Sequence, residues 1–178
     1  MSNLRLLNSS SGTGVTTLSV NNVFTDDFDI YKIKITCSSA LEQETNLNFI
    51  SVGGGVVTSS DHEAVQLYMR GYAAFTGIST TSDTDIRLVV GDEDNFGGSA
   101  IIYVFNPRNP AAYTFVAHQG SLAIDLNDNN TPSFASNRGI GVLKQTSVIN
   151  GFHLSNNNAS ASVDYTAITY GLRVDWWD

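Results

Sequence analysis

Residues 24–37, FTDDFDIYKIKITC, alternate bulky apolar side chains with polar ones. Successive side chains of a β-strand point to opposite faces, so odd and even positions can be sorted separately. From position 31 the odd positions are apolar: Tyr31, Ile33, Ile35 and Cys37. After Ile30 the even positions are polar: Lys32, Lys34 and Thr36. A helix would split this apolar stripe, so the segment predicts an antiparallel strand with one buried and one wet face.

Similar alternating segments recur along the chain, separated by clusters of Gly, Asn, Asp, Ser and Pro that signal turns. The segment 99–107, SAIIYVFNP, is apolar at both odd and even positions, which predicts a central strand covered on both faces. Residues 9–14 predict a loop after a short strand or arm. Helical periodicity with caps is missing throughout.

These patterns predict an all-β fold, a single antiparallel β-sandwich of jelly-roll-like form with roughly eight to ten strands. One domain is expected over residues 1–178, with residues 1–20 as an N-terminal arm or first strand and residues 175–178 as a C-terminal tail.

The composition narrows the classes of partner. Charged residues make up 15% of the chain, below the roughly 25% of ordinary soluble domains. The net charge of −8 argues against a nucleic-acid partner, which requires a clustered basic surface. The lone cysteine, Cys37, excludes an internal disulfide framework and predicts a buried thiol in a protein made in a reducing cytoplasm. No apolar run is long enough for a signal-peptide core or a membrane span, so membrane insertion is not expected.

Acidic segments offer hard oxygen ligands in two places. The candidate residues for calcium are Asp92 and Asp94 in GDEDNFGG and Asp125 and Asp128 in DLNDNN. Neither segment has the spacing of an EF-hand. Asp and Asn are also ordinary turn residues, so the sequence favours turns without a metal or other cofactor.

Catalytic patterns are sparse. The three histidines, His62, His118 and His153, lie in unrelated segments, and no serine occupies a nucleophile-elbow motif. The sequence therefore predicts a protein that is not an enzyme. A carbohydrate hydrolase with paired carboxylates in the acidic loops stays open as an alternative.

Candidate contact residues lie near both ends of the chain. Adjacent side chains on a strand face opposite ways, so one of Trp176 and Trp177 is predicted to point outward as a subunit or partner contact. Leu4 and Leu6 belong to an N-terminal segment that can dock on a neighbour by adding a strand to its sheet. In the loops, Phe96 and Phe134 are candidate contacts for a ligand such as a glycan.

Several short motifs occur in a fixed order over most of the chain. They are Phe24-Thr25-x-x-Phe28-Asp29-x-Tyr31, Asn106-Pro107, Ile149 to Phe152, and Tyr170-Gly171-Leu172. In this succession the chain resembles a widespread type of bacteriophage virion protein. The sequence departs from that type in ending with DWWD and in carrying Phe28 where Tyr is common.

The resemblance implies a non-enzymatic structural protein of the virion with a jelly-roll-like sandwich. We expect a capsid decoration or cement protein that forms a symmetric homo-oligomer, a trimer, and contacts the major capsid or tail proteins of the same particle. The alternative is a tail appendage or receptor-binding head that recognises a host-surface glycan. The resemblance implies neither catalytic residues nor a cofactor.

Overall fold

Twelve strands make up the fold, in a computed structural model that describes residues 3–39, 44–70, 75–88, 97–125, 132–157 and 161–173. No helix occurs within these ranges. The strands are β1 Leu4–Val15, β2 Thr17–Val20, β3 Ile30–Ser39, β4 Thr45–Ser51, β5 His62–Arg70, β6 Thr76–Asp83, β7 Ile86–Leu88, β8 Gly98–Phe105, β9 Thr114–Asp125, β10 Pro132–Leu143, β11 Ile149–Asn156 and β12 Val163–Leu172.

The strands form two sheets, with every pair antiparallel. The larger sheet has eight strands in the order β1-β12-β3-β8-β9-β10-β5-β6, and the smaller has four in the order β2-β11-β4-β7. Their facing sides enclose one large apolar core. The predicted all-β antiparallel sandwich is confirmed. The count of twelve exceeds the predicted eight to ten because β2 and β7 have only four and three residues, too few to show an alternating pattern.

The opening pattern is confirmed in β3. Tyr31, Ile33 and Ile35 are completely buried, whereas Lys34 and Thr36 are exposed. The strand lies between β12 and β8, so its backbone is paired on both edges. Cys37 is buried on the same inner face, as predicted.

Residues 9–14 are not a loop, and that prediction is wrong. They belong to β1, which pairs with β12 of the same chain through shifts in register near Leu6 and Gly12. Strand pairing uses backbone groups, so Ser, Gly and Thr can continue an edge strand without apolar side chains. The shifts are β-bulges, which blur the sequence alternation. Residues 175–178 lie outside the described part of the chain.

The motifs of the resemblance meet at one end of the sandwich. The Tyr31 hydroxyl accepts a hydrogen bond from the Thr25 backbone N–H at 2.8 Å and donates one to the Thr25 carbonyl at 2.6 Å. Its ring contacts the rings of Phe24 and Phe28, with centroids 4.6 and 6.0 Å away. These contacts fold the acidic segment back over the start of β3, so the first motif has a structural role.

The other motifs close the same end. Asn106 has a positive φ of 57° and donates its backbone N–H to the Asp29 carbonyl at 3.0 Å, while the Pro107 carbonyl accepts from Ile149 at 2.8 Å. Gly151 lies so close to the Val20 carbonyl oxygen that any β-carbon there would overlap it. The Asn106-Pro107 and Ile149–Phe152 motifs are therefore explained by backbone contacts at this end.

The strand β8 corrects another prediction. Only its inner face is covered, by the core around Ala100, Ile102 and Val104. Its outer face, turned away from the smaller sheet, leaves 41% of Ile101 exposed. A strand that is apolar on both sides is therefore not sandwiched between layers here, and its outer apolar residues are available for contact.

Candidate binding groove on the larger sheet

A row of exposed side chains crosses the outer face of the larger sheet. The register places Lys34 of β3 beside Ile101 of β8, Ile101 beside Gln119 of β9, and Gln119 beside Arg138 of β10. Leu67 of β5 follows Arg138. All five are exposed, because residues that pair across neighbouring strands point to the same face of the sheet.

Parallel rows flank this one, two residues away along each strand. On one side the row is Lys32, Tyr103, Ala117, Ile140 and Val65. On the other side it is Thr36, Ser99, Ser121, Ser136 and Met69. The Ser99 and Ser121 hydroxyls lie 3.3 Å apart, and the Ser136 hydroxyl donates to the Gly120 carbonyl at 2.9 Å. The face thus has a hydroxyl-rich side and an apolar side.

The outer face is hollowed into a groove of about 970 Å³, lined among others by Lys34, Leu67, Ile101, Tyr103, Gln119 and Arg138. We call this hollow the outer groove. It joins a second hollow of about 710 Å³ through the shared serines. It joins a third of about 450 Å³, lined by Phe105 and Phe115, through Val65 and Ile140. A continuous depression therefore follows the strands.

The outer groove is basic in an acidic protein. Its described lining includes Lys34 and Arg138 and no carboxylate, whereas the whole chain has a net charge of −8. Three other cations have anionic partners, in the pairs Arg87–Glu44, Arg108–Asp26 and Lys144–Glu63. Within the described residues, Lys34 and Arg138 have no such partner. Their charge is available to a ligand.

His118 lies directly beneath the groove, on the inner face of β9. It is 4% exposed, and neither ring nitrogen has a hydrogen-bond partner among the described residues. Burial lowers its pKa to about 4, because a charged imidazolium is poorly solvated there. A β-carbon on Gly139 would collide with this ring. The histidine is therefore a neutral core residue that fills the space left by a glycine.

The other two histidines do not line the groove. His62 is fully buried and its ring stacks on Phe49 at 6.3 Å. His153, on the smaller sheet, has Nδ1 2.8 Å from the Ser19 hydroxyl. This Ser–His pair resembles two parts of a triad, yet among the described residues no carboxylate is hydrogen-bonded to His153. No group of three potential metal ligands occurs among them either.

Several residues predicted from sequence can be placed. Phe134 lies on strand β10, so its predicted loop position is wrong; it is 75% exposed beside the second hollow. Leu4 and Leu6 are 39% and 58% exposed on the edge strand β1. Asp125 ends β9, but its side chain is outside the described part. The remaining candidates lie outside the described residues altogether: Asp92, Asp94, Phe96, Asp128, Trp176 and Trp177.

Sequence reasoning missed the outer groove. Its signal was present in the even positions of β3, which carry Lys32 and Lys34, and in those of β10, where Arg138 stands among apolar and small residues. Their alignment depends on the order and register of four strands, which no single segment specifies. No helical segment of the described chain has the length and apolar character of a membrane span.

Comparisons with known proteins found similarity to solved structures alone. No family model and no curated protein matches this sequence. Similar solved structures include a PL-14 alginate lyase from Aplysia kurodai, with 9% identity, a TM-score of 0.35, and coverage of 85% of this chain and 72% of the lyase. The alginate lyase Aly36B with an alginate trisaccharide has 10% identity and a TM-score of 0.34, covering 96% and 88%. The Ca²⁺-bound exoplasmic domain of VIP36 has 12% identity and a TM-score of 0.33, covering 96% and 86%.

Proposed function

We propose that this chain is a non-enzymatic structural protein of a bacteriophage virion, mounted on the particle surface as a capsid decoration protein. The main support is the exposed apolar surface of the larger sheet. It includes Val65, Leu67, Ile101, Phe115 and Ile140, each at least 41% exposed. Contiguous apolar surface of this kind marks contact with another macromolecule. A rigid sandwich with one open face suits a protein that coats a shell.

The motif residues support the same assignment. Phe28, Tyr31, Asn106 and Gly171 all serve the closed end of the sandwich. The resemblance is therefore carried by residues that hold the sandwich together. The outer face of the larger sheet contains none of these residues and is free to vary with the partner. This fits a family whose members share a sandwich and differ in what they attach to.

We further propose a homotrimer whose subunits meet along β1. This strand is at the edge of the larger sheet, bonded to β12 on its other side. Its residues Leu4 and Leu6 present apolar side chains beside that edge. Edge strands are templates for pairing with another chain, and symmetric assembly would cover three such edges at once.

Labelling of intact particles tests the location. An antibody against this chain, or a tag on it, should decorate the capsid shell in electron micrographs, and particles lacking the chain should lose genome more readily on heating. Labelling confined to the tail, or none on purified particles, would rule out capsid decoration. Multi-angle light scattering of the purified protein should give the mass of a trimer. A monomer mass would rule out the proposed homotrimer.

A second candidate is a tail appendage or receptor-binding head that recognises a host-surface glycan. The outer sheet face favours it, because Tyr103 and Gln119 in the outer groove and the exposed Phe134 beside the adjoining second hollow combine ring surface with hydrogen-bonding groups. Ligand sites typically pair an apolar lining with a few polar groups. Particle labelling at the tail tip, together with glycan binding that is lost in Phe134→Ser, would support this function over decoration.

A further inference from the structure

We propose that the outer groove binds an acidic polysaccharide, a sugar polymer that carries carboxylate or sulfate groups. The inference deepens the glycan-binding candidate above and rests on it, because capsid attachment through the same sheet face would cover Leu67, Ile101 and Ile140 of the groove. It starts from charge. Lys34 and Arg138 stand without ionic partners among the described residues, in a groove whose described lining has no carboxylate. In a protein of net charge −8, a basic concave surface focuses a positive electrostatic potential that attracts an anionic ligand.

The spacing of the cations indicates a polymer. Lys34 and Arg138 belong to strands three steps apart in the sheet, which separates their backbones by about 14 Å. Lys32 adds a third cation on the same face, two residues from Lys34 along β3. Cations spread in this way match successive charges on an extended chain better than one small anion.

The groove floor has the chemistry of a sugar site. Between the two cations lie Ile101, which offers an apolar surface, and Gln119, which can both donate and accept hydrogen bonds. Tyr103 lies on one side, and the hydroxyl row of Ser99 and Ser121 lies on the other. A sugar ring has an apolar face bordered by hydroxyl groups. Its apolar face can pack on Ile101 or Tyr103 while its hydroxyls form hydrogen bonds with the polar side chains of the groove.

Nucleic acid is the competing polyanion, and it fits less well. Its binding depends on many phosphate contacts and on stacking of bases over several aromatic rings. The described lining of the outer groove has two cations and one aromatic ring, Tyr103. A polysaccharide with fewer charges per unit length matches this sparse arrangement.

Isothermal titration of the purified protein with four polymers tests the proposal. The probes are polygalacturonate for carboxylates, heparin for sulfates, dextran as a neutral polymer, and oligo(dT) for nucleic acid. We expect binding to polygalacturonate, to heparin or to both, weakening as salt is added. The stronger of these two identifies the charged group. Dextran should not bind, and oligo(dT) should bind more weakly than the stronger polysaccharide.

Matched variants locate the site. In Lys34→Gln/Arg138→Gln the affinity should fall at least roughly tenfold, since two charge-assisted contacts are lost. Arg87→Gln serves as the control, because Arg87 is a half-exposed cation on β7 of the smaller sheet, outside the groove, and its replacement should leave affinity within about twofold. Unchanged melting temperatures would show that the variants are folded.

Three results would overturn the inference: no binding of either acidic polymer by the wild type, equal loss in the Arg87 control, or tighter binding of oligo(dT). The first would leave capsid decoration intact, because that assignment is decided by particle labelling. Binding to dextran as tight as to the acidic polymers would overturn the charge argument while supporting the glycan-binding candidate.

Discussion

The ring of Phe28 lies on the backbone of Gly171, at a point where a β-carbon would come within 2.6 Å of the ring. Gly171 is in β12 and pairs with Tyr31 of β3. The first and last motifs of the chain, separated by more than a hundred residues, are therefore two sides of one contact. The Phe28 ring needs a glycine at position 171 in order to pack there, and Gly171 is required because that ring occupies the space of a side chain.

Gly171→Ala should destabilise the protein by about 1–3 kcal/mol, because the new methyl group forces the Phe28 ring out of its packed position. Urea unfolding followed by tryptophan fluorescence measures this. Gly77→Ala is the control: apart from its chain neighbours, no heavy atom of the described residues lies within 4 Å of the site of its β-carbon, so the stability should change little. An unchanged midpoint in Gly171→Ala would contradict the contact.

Tyr31→Phe should cost about 1–2 kcal/mol of unfolding free energy, because it leaves the N–H and carbonyl of Thr25 without their hydroxyl partner. The ring contacts with Phe24 and Phe28 are retained, so the measured loss isolates the hydrogen bonds. Tyr113→Phe, at a position 44% exposed, provides the comparison and should stay within experimental error. Equal effects in both variants would remove the proposed role of the hydroxyl.

The stability should depend on pH through His118. Burial holds its pKa at about 4 in the folded protein, below its ordinary value of 6.5. Above pH 6.5 both states are neutral and the contribution is complete. As the pH falls from 6.5 to 4 the unfolded state takes up the proton first, so the unfolding free energy drops by up to roughly 3 kcal/mol.

His118→Gln removes that titration. Its unfolding free energy should fall less than that of the wild type between pH 7 and pH 4.5, as measured by urea titrations at each pH. His153→Gln changes a half-buried histidine of the smaller sheet, whose pKa burial also lowers. Because the shift at His118 is the larger one, this variant should keep most of the wild-type dependence. Parallel pH curves for wild type and His118→Gln would show that the buried ring is not responsible.

Removing apolar side chains from β1 should weaken self-association. Leu4→Ser/Leu6→Ser is expected to lower the molar mass in light scattering at low micromolar concentration, because both leucines are exposed at the proposed subunit edge. Leu67→Ser, an equally exposed change in the groove, controls for lost surface hydrophobicity. Deletion of residues 175–178 tests the tryptophans in the same way. If mass is lost only in the Leu67 variant, the interface lies on the sheet face instead.

The sequence predicted the class of fold because alternation is a local property. The inner set of β3, Tyr31, Ile33 and Ile35, could be assigned from one short segment and is buried as expected. Residues 9–14 were assigned wrongly, since an edge strand held by backbone pairing needs no apolar pattern.

The candidate site was harder to predict for a physical reason. Lys34, Gln119 and Arg138 become neighbours only through the pairing of β3, β8, β9 and β10. Register between strands distant in sequence is set by the whole core, and a shift of one residue would send every side chain to the other face. Phe134 was predicted to lie in a loop, and that placement is wrong because the residue is on strand β10; its exposed side chain nevertheless lies beside the second hollow.

The floor of the groove is a single layer of backbone with the core on its far side. Every second residue in β3, β8, β9, β10 and β5 can therefore be exchanged without touching the packing that holds the molecule together. Substitutions at these outward-facing positions can change what the sheet binds, one residue at a time, while the inward-facing residues of the core stay the same.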